Sequence, residues 1–325
     1  MAAMRNPAFE ERLYELFPAI HAYIFLHSPD SIYHERVLKP HLDTSPTLLN
    51  LLPMAACIAA GGRANQSISL AASWQVFQLG IRILDDLQDQ DRPTALWARI
   101  GLPEATNYAF LLCVHCLKLL QHSPDAHLSS NSQLVQQFLD DCQTLLEGQE
   151  EDLVKRTPDF DAYWKKIEKK NARIFEWGCR AGAQCGSDSP QIIQALRQFG
   201  YHLGILLQLL DDYQGIWEAN GVGDLGMGKY TYPLVFGLNH PSDHQEDIGQ
   251  LAANPAAIIK NEQQIRELLD LINAQNFVVW TVYQEGEKAL NCLRKLPYVN
   301  DGIRFLSDYI KQIFSHLPPK DDLLP

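Results

Sequence analysis

Apolar residues recur at spacings of three and four along most of the chain. Seven such runs come before residue 230, and several more follow it; the seven lie near 9–26, 47–60, 66–90, 104–121, 132–155, 161–184 and 190–218. This period is typical of amphipathic α-helices, and the alternating patterns typical of β-strands are missing. Gly and Pro residues fall between the runs. The pattern predicts an all-α protein of about a dozen helices. No low-complexity linker interrupts it, so we predict a single domain over residues 1–325.

Composition narrows the function classes. The chain has 325 residues, of which 46% are hydrophobic, and this is enough for a substantial core. Its net charge of -12 argues against a nucleic acid as the main partner. The chain has seven cysteines, an odd number, so they cannot all pair in disulfides within it. Together with the lack of a recognisable secretory signal, this favours reduced thiols and a cytoplasmic location. No apolar run is long enough for a transmembrane segment.

Acidic residues cluster inside two of the apolar helical runs. The first cluster, in "GIRILDDLQDQDRP" (80–93), has Asp85, Asp86 and Asp89 at spacings of three and four, which places their carboxylates on one helix face. The second, in "GILLQLLDDYQGIW" (204–217), has Asp211 and Asp212, with Gln208 on the same face. A solvated helix end would explain either cluster alone. Two acidic pairs in such apolar helices are harder to explain as surface residues.

Paired carboxylates in apolar surroundings need a cation to offset their charge. Their hard oxygens suit Mg²⁺, which commonly binds a few carboxylates together with substrate phosphates. Two lysines could complete a diphosphate site: Lys229, on the glycine-rich loop 224–233, and Lys170, within a helix. Either could instead be an ordinary surface lysine. Together these residues predict a site where divalent cations hold a diphosphate.

Five segments, in order, resemble the motifs of trans-isoprenyl diphosphate synthases, the polyprenyl synthetase family, over roughly residues 45–240. They are Asp85-Asp86-x-x-Asp89, "EGQEEDL" (147–153), "YWKKIEKKNARIF" (163–175), Gln208-x-x-Asp211-Asp212, and Asp224-Leu225-x-x-Gly228-Lys229-x-Thr231-x-Pro233. The resemblance implies an isoprenoid-synthase-type helical bundle with a central cavity for a hydrocarbon tail, and a homodimer packed through helices around 102–155.

The resemblance also assigns roles to individual residues. Asp85, Asp86, Asp89, Asp211 and Asp212 would bind Mg²⁺, and Gln208 would support the second pair. Lys170 and Lys229 would hold oxygens of an allylic isoprenyl diphosphate. Asp85, Asp86, Asp211 and the two lysines are accordingly the expected catalytic residues.

Departures from the family pattern concern the second substrate. Family members that use isopentenyl diphosphate carry an early Gly-Lys-x-x-Arg-Pro, but only Pro53 of it remains here, in "TLLNLLPMAA" (47–56). Arg92 stands alone where the family has Arg-Arg-Gly, as the remaining candidate for a substrate-binding cation there. Gly215 replaces the third aspartate of the second motif. Gly80, five residues before Asp85, would open the tail cavity to longer substrates, or would simply allow close helix packing.

The leading hypothesis is therefore a Mg²⁺-dependent prenyltransferase that ionises an allylic diphosphate. The acceptor could be isopentenyl diphosphate or another molecule, such as a peptide, because a bacterial relative with a similarly degenerate site prenylates a tryptophan of a peptide. Two alternatives remain: a terpene synthase of the same fold, and a non-catalytic partner subunit of a prenyl diphosphate synthase.

Overall fold

The computed structural model describes residues 15–28, 33–42, 48–89, 94–121, 131–154, 159–218, 223–320 and 323. Within these ranges the secondary structure is helical and contains no β-strand, which confirms the all-α prediction. None of the helices described there has the length and apolar character needed to cross a membrane.

The α-helices are numbered in chain order. The first ten are α1 (Phe17–Leu26), α2 (Lys39–Leu42), α3 (Leu52–Ala59), α4 (Ile68–Asp89), α5 (Leu96–Ile100), α6 (Leu102–Gln121), α7 (Asn131–Leu153), α8 (Phe160–Ile167), α9 (Arg173–Gly186) and α10 (Pro190–Trp217). Six follow: α11 (Tyr232–Asn239), α12 (Gln245–Leu251), α13 (Pro255–Lys260), α14 (Glu262–Leu271), α15 (Ala274–Arg294) and α16 (Asp301–Ser315). Short π-helical turns span His34–Leu38 and Glu168–Ala172.

The long helices match the apolar runs of the sequence closely, because each run supplies several full periods of one buried face. The prediction of about a dozen helices is too low for the described chain. The additional ones, such as α2, α5 and α13, have four to six residues and are too short to show a period.

The chain forms two compact units, made of residues 1–140, 176–200 and 292–312 in the first and 141–175, 201–291 and 313–325 in the second. In the first unit α4 packs along α6, where the Ser73 hydroxyl donates a hydrogen bond to the Cys116 carbonyl at 2.8 Å. Trp74 of α4 is buried and stacks on Trp177 of α9, with 6.3 Å between ring centroids. These contacts fix the helix that carries the first acidic motif.

The second unit has an apolar core built from the C-terminal end of α10 and from helices α11 to α14. Aromatic rings extend this core: Phe236 of α11 stacks on Phe277 of α15 at 4.1 Å, and Phe277 in turn stacks on Tyr232 at 5.6 Å. This core holds the end of α10 that carries the second acidic motif against the loop that precedes α11.

Candidate functional site

The first acidic motif lies in the last two turns of α4, in the first unit. Asp86 is buried, while Asp85 and Asp89 are half-buried. Helical geometry places Asp85 and Asp89 one turn apart on the same face. Arg92, the candidate substrate-binding cation, lies outside the described residues, so its role stays a prediction.

Gly80 is buried one turn before this motif, where α4 meets α6. A β-carbon at Gly80 would lie 3.1 Å from the Leu112 β-carbon, which is closer than most real contacts of this kind, and 3.5 Å from the Cys113 sulfur, an ordinary contact distance. Glycine therefore permits the close approach of α4 and α6. This geometry supports the packing interpretation of Gly80, and its effect on tail length stays a prediction.

The second acidic motif lies near the C-terminal end of α10, in the second unit, and its two aspartates differ sharply. Asp211 is exposed, whereas Asp212 is 3% exposed. The Asp212 Oδ2 accepts hydrogen bonds from the Tyr163 hydroxyl and, at 2.6 Å, from the Tyr232 backbone N–H. Gln208 Nε2 donates to Oδ1 at 2.7 Å. Three neutral donors thus fix this carboxylate in place.

The ionisation of the Asp212–Tyr163 pair follows from its burial. Desolvation raises the pKa of Asp212 against the opposing effect of its hydrogen-bond donors. Burial and the neighbouring Asp212 carboxylate hold the pKa of Tyr163 well above its usual range. The phenol therefore stays protonated and acts as the hydrogen-bond donor to Asp212. Three hydrogen bonds already occupy much of the accepting capacity of the Asp212 carboxylate. The metal-binding roles of Asp211 and Asp212 remain predictions.

Gln208 is oriented by the residue that replaces the family's threonine. Asn171 Nδ2 donates to Gln208 Oε1, which leaves the Gln208 amide nitrogen directed at Asp212. The chain Asn171–Gln208–Asp212 therefore links the π-helical turn to α10. The functional role expected for Gln208 stays a prediction.

The π-helical turn Glu168–Ala172 is held between two glycines on the flanking helices. A β-carbon at Gly148 of α7 would lie 2.6 Å from the Lys170 backbone nitrogen, and one at Gly204 of α10 would lie 2.7 Å from the Ala172 α-carbon. Neither position has room for a larger side chain. The two close approaches bring Lys170 to α7 and Asn171 to α10.

Lys170 shares a carboxylate with a second lysine. Its Nζ lies 2.9 Å from Asp152 Oδ2, while Lys166 Nζ lies 2.7 Å from Asp152 Oδ1. Burial alone would raise the pKa of Asp152, but the two ammonium groups hold it well below its usual range. Asp152 belongs to the "EGQEEDL" segment, so the contact joins two of the motifs identified in the sequence.

Lys229 follows a tight loop that closes onto the end of α10. Asp224 donates its backbone N–H to the Gly215 carbonyl at 3.1 Å, and its Oδ1 lies 3.6 Å from Lys229 Nζ. Gly228 has a φ of +70°, a conformation that favours glycine. A β-carbon at Gly215 would lie 2.6 Å from the Asp224 Cγ and closer still to Oδ2. The Asp224 carboxylate therefore occupies the space beside the third position of the second motif.

The carboxylate oxygens of the two acidic motifs are of the kind that binds a divalent cation together with a phosphate ligand. In the part of the chain that is described, no three His, Cys, Asp or Glu side chains are grouped so as to enclose a metal ion by themselves. Mg²⁺ rarely needs such a cage, because it usually keeps waters and substrate phosphates beside one or two carboxylates. The paired carboxylates of Asp85 and Asp89 and the exposed Asp211 offer ligands of that kind.

Sequence reasoning did not single out three residues that contact the predicted site residues in the structure: Tyr163, Lys166 and Asp152. Tyr163 and Asp152 stood inside segments that resembled family motifs, so their position in a motif was an available signal. Lys166 lies in the same segment as Tyr163, but it is one of four lysines in "KKIEKK" (165–170), so its position does not single it out. Only the fold distinguishes it from its exposed neighbours.

This all-α chain carries acidic motifs on two long helices and has the helical fold of isoprenoid synthases. A sequence profile described as polyprenyl synthetase matches residues 48–272, and the chain belongs to this family. The matched region begins near the start of the range 45–240 over which the motifs were recognised and continues past its end.

Individual relatives agree with this membership. The chain is 28% identical over 225 residues to a geranylgeranyl diphosphate synthase of Mycobacterium tuberculosis, an alignment that covers 65% of this chain and 63% of that relative, under two thirds of its length. It is 22% identical over 242 residues to the tryptophan prenyltransferase ComQ of Bacillus subtilis, covering 74% of this chain and 78% of the relative.

The fold is similar to that of a geranylgeranyl pyrophosphate synthetase from Pyrococcus horikoshii, with a TM-score of 0.79 at 20% identity. The superposition covers 93% of this chain and 98% of that structure.

Proposed function

We propose that this protein is a prenyltransferase that ionises an allylic isoprenyl diphosphate with the help of Mg²⁺ and transfers the prenyl group to an acceptor. The observation that carries the proposal is the network of the second unit. There Asp212 is fixed by three donors, and Lys170 is held by Asp152. Family membership and the prenyl diphosphate synthases among its relatives support it.

The chain's own residues would perform the following tasks. Lys170 and Lys229, each held by a carboxylate, donate hydrogen bonds to oxygens of the diphosphate. Asp85, Asp86, Asp89 and Asp211 would hold Mg²⁺, which when bound stabilises the negative charge that develops on the leaving diphosphate. Because the carboxylates and ammonium groups are already fixed, little reorganisation is needed as the carbon–oxygen bond breaks.

For the acceptor, we propose a molecule other than isopentenyl diphosphate. The segment that replaces Gly-Lys-x-x-Arg-Pro contains no lysine or arginine, and Leu51, Leu52 and Met54 within it are fully buried. An apolar, buried segment offers nothing to hold a second diphosphate. The likeness to a tryptophan prenyltransferase supports a peptide tryptophan as the acceptor.

One set of incubations tests both parts of the proposal. The protein is given Mg²⁺ and geranyl, farnesyl or geranylgeranyl diphosphate, each alone, with isopentenyl diphosphate, or with a tryptophan-containing peptide. Products are then identified by mass spectrometry. We expect prenylated peptide and no chain extension. Extension only when isopentenyl diphosphate is present would refute the acceptor assignment.

The remaining alternatives give distinct results in the same experiment. A hydrocarbon or alcohol formed from one allylic diphosphate alone would identify a terpene synthase. Absence of turnover, together with no Mg²⁺-dependent binding of inorganic pyrophosphate by calorimetry, would identify a non-catalytic subunit.

A further inference from the structure

The second acidic motif is held from outside its own helix through a chain of two side-chain amides. Asn171, in the π-helical turn, donates to Gln208 Oε1, and Gln208 Nε2 donates to Asp212 Oδ1 at 2.7 Å. We propose that Asn171 is a positioning residue, which fixes the orientation of the Gln208 amide and through it the place of the Asp212 carboxylate during turnover. The inference rests on the proposed function, which it deepens by adding a residue that acts on the second motif through another side chain.

The hydrogen bonds of this chain can run in one direction only. A carboxylate accepts hydrogen bonds and donates none, so Gln208 has to present its nitrogen to Asp212. The Gln208 oxygen then faces the π-helical turn and requires a donor, which Asn171 supplies through Nδ2. If the Gln208 amide turned over, its oxygen would face the carboxylate and two acceptors would meet. The Asn171 donor and the Asp212 acceptor therefore both favour the same orientation of Gln208.

Asn171 adds a constraint that Gln208 cannot provide by itself. Gln208 and Asp212 lie one turn apart on α10, so their hydrogen bond joins two residues of one helix. Asn171 belongs to the helical segment that begins with α8, which also supplies Tyr163, the hydroxyl donor to Asp212 Oδ2. Both carboxylate oxygens are thus held from this second segment, Oδ2 directly and Oδ1 through Gln208.

The backbones of the two segments meet next to this contact. A β-carbon at Gly204 would lie 2.7 Å from the Ala172 α-carbon and 3.0 Å from the Asn171 carbonyl oxygen. Gly204 lies one turn before Gln208 on α10, so the close approach brings the two amides within hydrogen-bond distance. The irregular turn contributes as well, since π-helical turns insert an extra residue into an α-helix and occur frequently at functional sites. The placement of Asn171 against Gln208 therefore depends on backbone features of both segments.

A second contact between the same two elements provides a comparison. Tyr201 of α10 donates its hydroxyl to Glu168 Oε1, at the start of the π-helical turn. This bond also ties the turn to α10, but it ends at Glu168 and not at the second acidic motif. Tyr201→Phe is therefore a matched control, since it removes a hydrogen bond between the same elements.

Two substitutions of Asn171 separate a directional role from a simple structural tie. Asn171→Asp keeps the size of the side chain but replaces its donor by an acceptor, so two oxygens face each other on one side of Gln208 or the other. Asn171→Leu removes the donor without adding an acceptor. A structural tie would be lost equally in both variants, whereas a directional role makes Asn171→Asp the worse. Asn171→Thr restores a hydroxyl donor, with the residue that is usual in the family.

The readout is the steady-state rate of pyrophosphate release from an allylic diphosphate with Mg²⁺, after urea unfolding has shown that each variant is folded. We expect kcat to fall about ten- to a hundredfold in Asn171→Asp, the range for a catalytic group misplaced by up to about 1 Å, and less in Asn171→Leu. The KM for the allylic diphosphate should change by less than about threefold, because the contacts with the substrate are kept. Asn171→Thr should exceed Asn171→Leu in kcat, and Tyr201→Phe should keep the wild-type kcat.

The inference is wrong if folded Asn171→Asp keeps the wild-type kcat, or if Asn171→Asp, Asn171→Leu and Tyr201→Phe lose kcat equally, since general loosening would then explain all three. A raised KM with unchanged kcat would also overturn it, because the new carboxylate would then act by repelling the diphosphate. If Asn171→Asp does not fold, equal kcat values in Asn171→Leu and Asn171→Thr overturn the inference. In each case a wild type that releases pyrophosphate leaves the proposed function intact, whereas a wild type that releases none refutes the proposed function itself.

Discussion

Tyr163 is a fully enclosed phenol whose hydroxyl donates to the buried carboxylate of Asp212, and its removal tests the role of that network. The Tyr163→Phe variant keeps the ring and hence its contact with Tyr232, whose ring centre lies 5.5 Å away. It removes one hydrogen bond from a charged group that has three. We predict that the variant loses both stability and turnover.

The magnitude follows from the charge of the acceptor. A hydrogen bond to a charged group contributes about 1.5–3 kcal/mol, and two other donors remain to hold Asp212, so we expect a loss of about 2 kcal/mol in the free energy of unfolding. The neighbouring Asp211 would also be placed less accurately. Misplacement of a catalytic group by about 1 Å can cost a factor of a hundred, and we expect kcat to fall between about ten- and a hundredfold.

Urea unfolding measures the first effect, and the rate of pyrophosphate release measures the second. Tyr230→Phe is the matched control, because its buried hydroxyl donates to a neutral acceptor, the Ala252 carbonyl, at 3.0 Å. The Tyr230→Phe variant should lose about 1 kcal/mol in the free energy of unfolding and keep the wild-type kcat. The reasoning fails if Tyr163→Phe retains wild-type kcat, or if Tyr230→Phe reduces kcat equally, since general loosening of the unit would then explain both.

Three further predictions follow from other contacts. Gly215→Asp should inactivate the protein because the new side chain overlaps Asp224, and the double variant Gly215→Asp with Asp224→Gly should recover measurable pyrophosphate release; a single variant as active as the wild type would contradict this. Burial, with smaller effects of nearby cations, lowers the pKa of His115 to about 4, below the unfolded value of 6.5. Because the unfolded chain binds the proton more readily, the free energy of unfolding falls by up to about 3 kcal/mol as pH falls from about 6.5 to 4. Urea unfolding of His115→Gln should therefore depend less on pH over this range than that of the wild type. Phe110 and Val114 are 71% and 40% exposed on one face of α6, so we expect Phe110→Asp to dissociate the homodimer that family resemblance predicts, as measured by sedimentation; an unchanged sedimentation coefficient would place any dimer contact elsewhere.

The sequence was sufficient to predict the fold class and the position of the long helices. Each of α4, α6, α7 and α10 buries one face over many turns, so its apolar residues repeat with the helical period. The motif pattern also placed Gln208 on the face of the second acidic pair, where it donates a hydrogen bond to Asp212, and its role in the site stays a prediction. Such predictions succeed because the relevant residues lie close together in the sequence.

The contacts that connect distant segments could not be read in the same way. Nothing in "KKIEKK" distinguishes Lys166 from Lys169, because the difference lies in what α7 presents to each: Asp152 to one and Glu151 to the other. The π-helical turn has no periodic signal either, since a single extra residue hardly changes an apolar pattern. The overlap between position 215 and Asp224 likewise depends on how the loop closes.

The π-helical turn makes the continuous helical segment from Phe160 to Gly186 unusually intolerant of changes in length. Successive residues of an α-helix are about 100° apart around its axis, so deletion of one residue from the turn would rotate α8 by that angle relative to α9. Tyr163 and Lys166 would then point away from Asp212 and Asp152 together, although no residue of the network had been substituted. Homologues that change length should do so outside this segment, where the change would not rotate the residues that contact Asp212 and Asp152.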